Sequence, residues 1–185
     1  MQSVAGKKVL ITGAAMGMGR IYADMAVREG AAAVVLWDIN QAALEQAAAE
    51  LRAAGGKVHA QVVDVARPEA IAEGAAQTRA AVGDPEVVFN NAGAGGDRAP
   101  IDEIEPAGWD RTMDLLLRSV AFGIRYAVPH MTGRPSTKSG GAAIINTSSV
   151  AAVGPGYSPT AYAVAKAAVL HLTKVASADL AKHGI

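Results

Sequence analysis

The segment Thr12-Gly13-Ala14-Ala15-Met16-Gly17-Met18-Gly19 constrains the fold more than any other stretch of the chain. It follows a short apolar run, Lys8 to Thr12, which reads as a strand. It leads into Gly17 to Glu29, which reads as a helix ended by Gly30. Glycines at such a junction let the turn tighten and let backbone N–H groups approach a pyrophosphate at a helix N-terminus. The strict G-x-G-x-x-G pattern is not met, because Tyr22 stands where the third glycine would fall. Turns also use glycine for purely backbone reasons. The position of this one, after the first strand of an alternating chain, favours dinucleotide binding.

The alternation continues along the chain. Ala33 to Trp37 reads as a strand, and Asn40 to Ala53 as a helix with Asn40 as its N-cap and Gly55-Gly56 beyond its end. Lys57 to Val63 is a strand, and Pro68 to Val82 a helix with proline in its first turn. Glu86 to Asn90 is a strand and Pro106 to Met131 a long helix, followed by a Gly/Ser/Pro loop from Thr132 to Gly141. Ala142 to Ser148 and Pro159 to His183 complete the series as strand and helix. Short apolar strands separated by helices predict a doubly wound parallel sheet covered on both faces, a three-layer α/β/α domain. Its βαβ connections are expected to be right-handed. Neither a repeat nor an interdomain linker interrupts residues 1–185, so a single domain is expected.

Composition removes several function classes. Lys+Arg and Asp+Glu both number 17, which leaves no electrostatic case for nucleic acid or an anionic membrane as the main partner. With no cysteine there is no disulfide scaffold, Cys-ligated zinc or cysteine nucleophile, and a reducing cytoplasm suits the chain. No apolar run approaches the roughly 20 residues of a membrane helix. Lys7-Lys8 before Val9-Leu10-Ile11 imitates a signal peptide only until the glycines begin. A soluble cytoplasmic chain is the expectation. His59, His130, His171 and His183 have no paired-ligand spacing, so no metal site is expected. Lys138-Ser139 lacks the glycine of a Walker loop, and Gly156-Tyr157-Ser158-Pro159-Thr160 lacks the final glycine of G-x-S-x-G.

Asp38 ends the second strand, where a carboxylate can hydrogen-bond both ribose hydroxyls of a dinucleotide and repel a 2′-phosphate. No basic residue stands among Ala14, Ala15 and Met16, and Arg20 lies beyond the last glycine. NAD rather than NADP is therefore the expected cofactor. The competing role for Asp38, as an N-cap, is filled as well by Asn40. Tyr162 and Lys166 lie four residues apart on one face of the last helix. A free phenol has a pKa of about 10, and an adjacent ammonium favours its anion, as a base working near neutrality requires. That spacing is common by chance, and an exposed helical pair is the competing reading. Ser149 falls at the C-terminal end of the fifth strand, the edge at which doubly wound sheets bind ligands. Ser148 beside it is expected only to satisfy loop backbone.

Taken together these motifs resemble the short-chain dehydrogenase/reductase family. Thr12–Gly19 is similar to its T-G-x-x-x-G-x-G turn, Asn90-Asn91-Ala92-Gly93 to its N-N-A-G, and Asp64-Val65 to the site of its adenine-facing aspartate. Ser149, Tyr162 and Lys166 stand at the spacing of its catalytic serine, tyrosine and lysine. The resemblance runs in order from the N-terminus to the last helix. It implies a Rossmann fold and hydride transfer between NAD(H) and a secondary alcohol or ketone. Tyr162 would be the general acid/base, Lys166 its assistant and a ligand of the nicotinamide ribose, and Ser149 the holder of the substrate oxygen. The implied cofactor contacts are Gly13, Ala15, Met16, Gly17, Met18 and Gly19 of the turn, Asp38 and Ile39, Asp64 and Val65, Asn91, Ala92 and Gly93, with Tyr162 and Lys166. A homodimer or homotetramer is implied too, built on the fourth and last helices.

The chain departs from the family pattern twice. Seven residues after Trp109, where the family carries an asparagine thought to hold a proton-relay water, stands Leu116, which can neither donate nor accept a hydrogen bond. Family members also run to about 250 residues, adding strands and a substrate-covering lid after the Tyr-Lys helix. This sequence reaches Ile185 where a sixth strand is expected, so the expected domain is C-terminally incomplete and the edge of its fifth strand open. These departures leave a second expectation beside the dehydrogenase, an NAD-binding module with weak or no turnover. No feature favours a third, purely structural subunit.

Overall fold

The computed structural model describes residues 3–132 and 141–185; the expected loop at 132–141 falls almost wholly outside them. Five parallel strands form one sheet in the order β3-β2-β1-β4-β5. They are β1 (Lys8–Thr12), β2 (Ala33–Asp38), β3 (Val58–Val62), β4 (Val87–Asn90) and β5 (Ala143–Asn146). The helices between them are α1 (Gly17–Arg28), α2 (Gln41–Ala53), α3 (Pro68–Val82), α4 (Pro106–Met113), α5 (Ser119–Met131) and α6 (Thr160–Leu180).

β1 is central because its side chains are apolar on both faces. Val9 and Ile11 point to one side, with Val34, Leu36 and Val87 of the neighbouring strands, and pack against α1 and α2 through Ala23, Ala26, Leu44, Ala48 and Leu51. Leu10 points to the other, with Val35, Trp37 and Val88, and meets Ile71 of α3 and Ala127 and Met131 of α5. That alternation with period two is what a strand buried on both faces requires. A smaller cluster of Val120, Ile124 and Val169 ties α5 to α6. After β3 the chain crosses back over β1 to place β4 on its far side. The point where the strand order reverses opens a crevice at the carboxyl ends of β1 and β4. β5 pairs only with β4 among the described residues, and Ile145 on it is 38% exposed.

The fifth strand is shorter than expected, the last helix ends at Leu180 in a 3-10 turn over Ala181–His183, and the largest difference is in the fourth helix. The single helix read over Pro106–Met131 is three pieces, because Asp114–Arg118 widens into a π-helical turn between α4 and α5. Hydroxyls bond to carbonyls on both sides of it, Thr112 Oγ1 to Gly108 O and Ser119 Oγ to Leu115 O. Such back-bonding offers the helical backbone an alternative partner, and π-turns are frequent at functional sites. Here the turn directs Leu116 fully into the interior.

Candidate active site

A cleft of about 600 Å³ opens over the ends of the strands. Its floor is the glycine turn, through Gly13, Met16, Gly17 and Met18. Asp38 and Ile39 after β2, Asp64 and Val65 after β3, and Asn91, Ala92 and Gly93 after β4 form its walls. Four of the expected contacts do not line it: Ala15 and Gly19 of the turn, and Tyr162 and Lys166 of α6. Ala15 is buried and gives its N–H to Asp38 Oδ2 at 3.0 Å, while Gly19 is buried beneath the turn. Arg111, Asp114 and Leu115 line the wall supplied by α4 and the π-turn. Sequence reading missed these three, since only tertiary folding brings that helix to the cleft.

The turn suits an anionic ligand on its backbone alone. At Gly13, with φ +64°, a Cβ would lie 2.7 Å from the Ala92 α-carbon, so the two loops touch only because a side chain is missing. Gly17, with φ +57°, faces open space. No side chain caps the N-terminus of α1, which leaves the first-turn N–H groups and the positive end of the helix dipole for a ligand. Thr12 clamps the facing loop. Its Oγ1 accepts the N–H groups of Asn91 and Ala92 at 3.0 Å each, and its carbonyl accepts from Asn91 Nδ2 at 3.1 Å.

Asp38 is held by two backbone donors, Ala15 N on Oδ2 and Asn40 N on Oδ1, each at 3.0 Å. It does not cap α2; Asn40 does, accepting from Ala43 N at 3.1 Å. Arg20 is turned away from the cleft and committed to Asp24 at 3.0 Å and Glu50 at 3.1 Å. After β3, Asp64 Oδ1 accepts from Ala66 N at 3.0 Å, which fixes Val65 at the cleft wall.

A second recess of about 380 Å³ shares Met18, Asn91, Gly93 and Ala94 with the first, so the two are continuous. Ser149, Tyr162 and Lys166 all line it. So do Gly95, from the loop after β4, and Tyr157, Ser158 and Pro159, from the loop before α6. Lys166 is 4% exposed; its Nζ donates to Thr147 O at 2.8 Å and lies 5.8 Å from the Tyr162 ring centroid. Desolvation by burial holds its pKa below the usual lysine value. Ser149 Oγ accepts from Ala151 N at 3.2 Å, starting the short turn Val150–Ala152 and leaving its own proton free to donate into the recess. Ser148 does satisfy a backbone group, but that group is the Lys166 carbonyl of α6 at 2.8 Å, not the loop.

Leu116 forms the inner wall of this recess, and a Cβ on Gly93 would meet its Cδ2 at 3.0 Å and Lys166 Nζ at 3.9 Å. Leu116 thus gives the recess that Lys166 lines an apolar side at the π-turn. Behind it runs a polar ladder: Asn90 Nδ2 donates to Asn146 Oδ1 at 2.8 Å, and Asn146 Nδ2 to Thr173 Oγ1 at 3.0 Å. This ladder fixes the ends of β4 and β5 against α6. Among the described residues no group of three or more His, Cys, Asp or Glu could hold a metal, and no helix is long and apolar enough to cross a membrane.

The family model described as short chain dehydrogenase matches residues 7–185. The chain belongs to the short-chain dehydrogenase/reductase family. Cyclohexanol dehydrogenase of Acinetobacter sp. (strain SE19) is 34% identical over 179 residues, covering 97% of this chain and 69% of that protein. Cyclopentanol dehydrogenase of Comamonas sp. (strain NCIMB 9872) is 36% identical over 186 residues, covering 100% of this chain and 71% of that one. Among solved structures, a short chain dehydrogenase/reductase from Burkholderia phymatum in complex with NAD superposes with TM-score 0.90 at 33% identity, covering 100% of this chain and 63% of that chain. L-sorbose reductase from Gluconobacter frateurii, complexed with NADPH and L-sorbose, gives 0.89 at 32% identity, covering 99% and 67%. The chain thus spans between 63% and 71% of the length of these family members. Its sheet is the Rossmann-type sheet of that family.

Proposed function

We propose that the chain carries the NAD-binding and catalytic part of an oxidoreductase that interconverts a secondary alcohol and its ketone. The observation that carries the reading is the continuity of the two recesses, which puts Ser149, Tyr162 and Lys166 at the mouth of the glycine-floored cleft. When bound, the dinucleotide supplies a nicotinamide carbon that accepts or returns a hydride. The glycine turn and the N-terminus of α1 would hold its pyrophosphate, and Asp38 its adenosine ribose. In the oxidative direction Tyr162 takes the hydroxyl proton as the carbinol C–H bond breaks; in reduction it returns one to the ketone oxygen. Lys166 faces the tyrosine ring, and Ser149 donates to the substrate oxygen. Relatives named for cyclohexanol and cyclopentanol support an alicyclic alcohol as the first substrate to try. The same relatives carry dehydrogenase names, which leaves a binding module without turnover unsupported. Val164 and Val175 lie about three turns apart on one face of α6, 43% and 46% exposed, which supports a homodimer or homotetramer.

NAD is preferred over NADP in this reading because Asp38 faces the ribose end while Arg20 is consumed by two carboxylates. Solved family members hold either NAD or NADPH, so the choice rests on such local charges. NADH is expected to bind the full-length protein at least about ten-fold more tightly than NADPH, with Asp38→Ala bringing the two within about three-fold, because an unfavourable like charge is what discriminates. Fluorescence titration of both coenzymes checks this, and tighter NADPH binding by the unaltered protein would contradict it. The reaction itself is tested by following NADH formation with a panel of cyclic and acyclic secondary alcohols. Tight NADH binding without turnover on any of them would overturn it.

A further inference from the structure

Lys166 is fastened twice to one dipeptide. Its ammonium donates to the Thr147 carbonyl at 2.8 Å, and its own main-chain carbonyl accepts from Ser148 Oγ at 2.8 Å. That carbonyl lies inside α6, where helical geometry already gives it an N–H partner four residues on. The serine bond is a second one, made to the remaining lone pair and reaching across from the end of β5. Bonds from consecutive residues to the two ends of one lysine restrain it more than either could. A four-carbon stem otherwise samples many rotamers, and an ammonium that is 4% exposed loses heavily if it leaves its partner. The next residue in the chain is Ser149, so the segment that holds the lysine also presents the serine. The other tie between β5 and α6, Asn146 to Thr173, lies about two turns further along the helix and restrains it as a whole.

We infer that Ser148 is a positioning residue, whose hydrogen bond to the Lys166 carbonyl sets the reach of the ammonium towards Tyr162 and the register of that pair against Ser149. Ser148 lines the recess, but its hydroxyl is committed to that carbonyl, so its effect on the reaction runs through Lys166. The inference rests on the proposed reaction for its catalytic consequence but not for its structural one, and the test separates the two.

In the full-length, coenzyme-free protein, each lysine is labelled with limiting acetic anhydride at fixed pH and quantified by peptide mass spectrometry. Lys166 is expected to label far more slowly than the surface lysines. Ser148→Ala should speed its labelling about three- to ten-fold, the range a single ordinary hydrogen bond supplies, and Ser148→Thr should restore the slow rate. Ser148→Cys, which keeps the volume but donates weakly, should follow Ser148→Ala if the alanine protein folds poorly. In parallel, kcat for alcohol oxidation should fall about ten-fold in Ser148→Ala with KM for NAD within about two-fold, and Ser148→Thr should recover it. Equal Lys166 labelling in the unaltered, alanine and cysteine proteins overturns the inference, whether or not the enzyme turns over. Altered labelling in a protein that oxidises no alcohol upholds it and overturns the proposed reaction instead.

Discussion

Tyr162→Phe is expected to lower turnover of any alcohol substrate by about a thousand-fold or more while changing NADH affinity by less than about three-fold. The substitution removes one oxygen and leaves the ring in place. The ring keeps its position because α6 carries it on the face that presents Lys166, and Ala161 and Ala165 beside it are fully buried. What is lost is the proton acceptor of the proposed reaction. Of the other groups lining the recess, Ser149 is a poor base, the Lys166 ammonium is already bonded to Thr147, and the second phenol, Tyr157, sits on the exposed loop before α6. A phenol is an adequate base near neutrality only when its anion is stabilised, since its ordinary pKa is about 10. Lys166 Nζ lies 5.8 Å from the ring centroid. Coenzyme fluorescence and initial rates, measured on the same preparation, separate the two effects. Turnover within about ten-fold of the unaltered enzyme would mean that another group moves the proton.

Where local chemistry decides, sequence and structure agree closely. β1 spans Lys8–Thr12 and α3 spans Pro68–Val82, as read, because glycine turns or a first-turn proline and a positive-φ glycine mark their limits. Asn40 caps α2 for the same local reason. The π-turn was invisible, and its own residues explain why. Leu115, Leu116 and Leu117 put apolar side chains all round the helix, so one extra residue per turn leaves the hydrophobic pattern unchanged. The site was legible as a set of residue types at spacings, and the structure brings Ser149, Tyr162 and Lys166 into one recess. What could not be read was the tertiary use of main-chain atoms. Ala15 sits inside the cofactor motif, yet its N–H serves Asp38; the Thr147 carbonyl and Ser148 hydroxyl hold Lys166 although neither belongs to the Ser-Tyr-Lys set. Arg111 and Asp114 reach the cleft only through the tertiary packing of α4 and the π-turn against α6.

The glycines of the turn differ in what they tolerate, and this yields the other large effect. Gly19→Ala is expected to reduce NADH affinity by more than about a hundred-fold and to destabilise the fold by roughly 1–3 kcal/mol, the usual range for overpacking. A Cβ there would be driven against the Gly13 carbonyl and would lie 2.8 Å from Asn91 Nδ2. Neither neighbour can give way cheaply. Gly13 is itself pressed against Ala92, and Asn91 is tied to Thr12 through both its main-chain N–H and its side-chain amide. Relief would have to lift the first turn of α1 away from the loop after β4, which displaces the N–H groups proposed to hold the pyrophosphate. Gly17→Ala makes the opposite case. Its Cβ would point into open space, so the cost is confined to a φ of +57° that an L-residue adopts at about 1 kcal/mol. Its NADH affinity should fall less than about ten-fold, with a fall in melting temperature of about 2–4 °C. Equal losses of coenzyme affinity in the two variants would show that backbone conformation at the turn, and not close approach beneath it, governs binding.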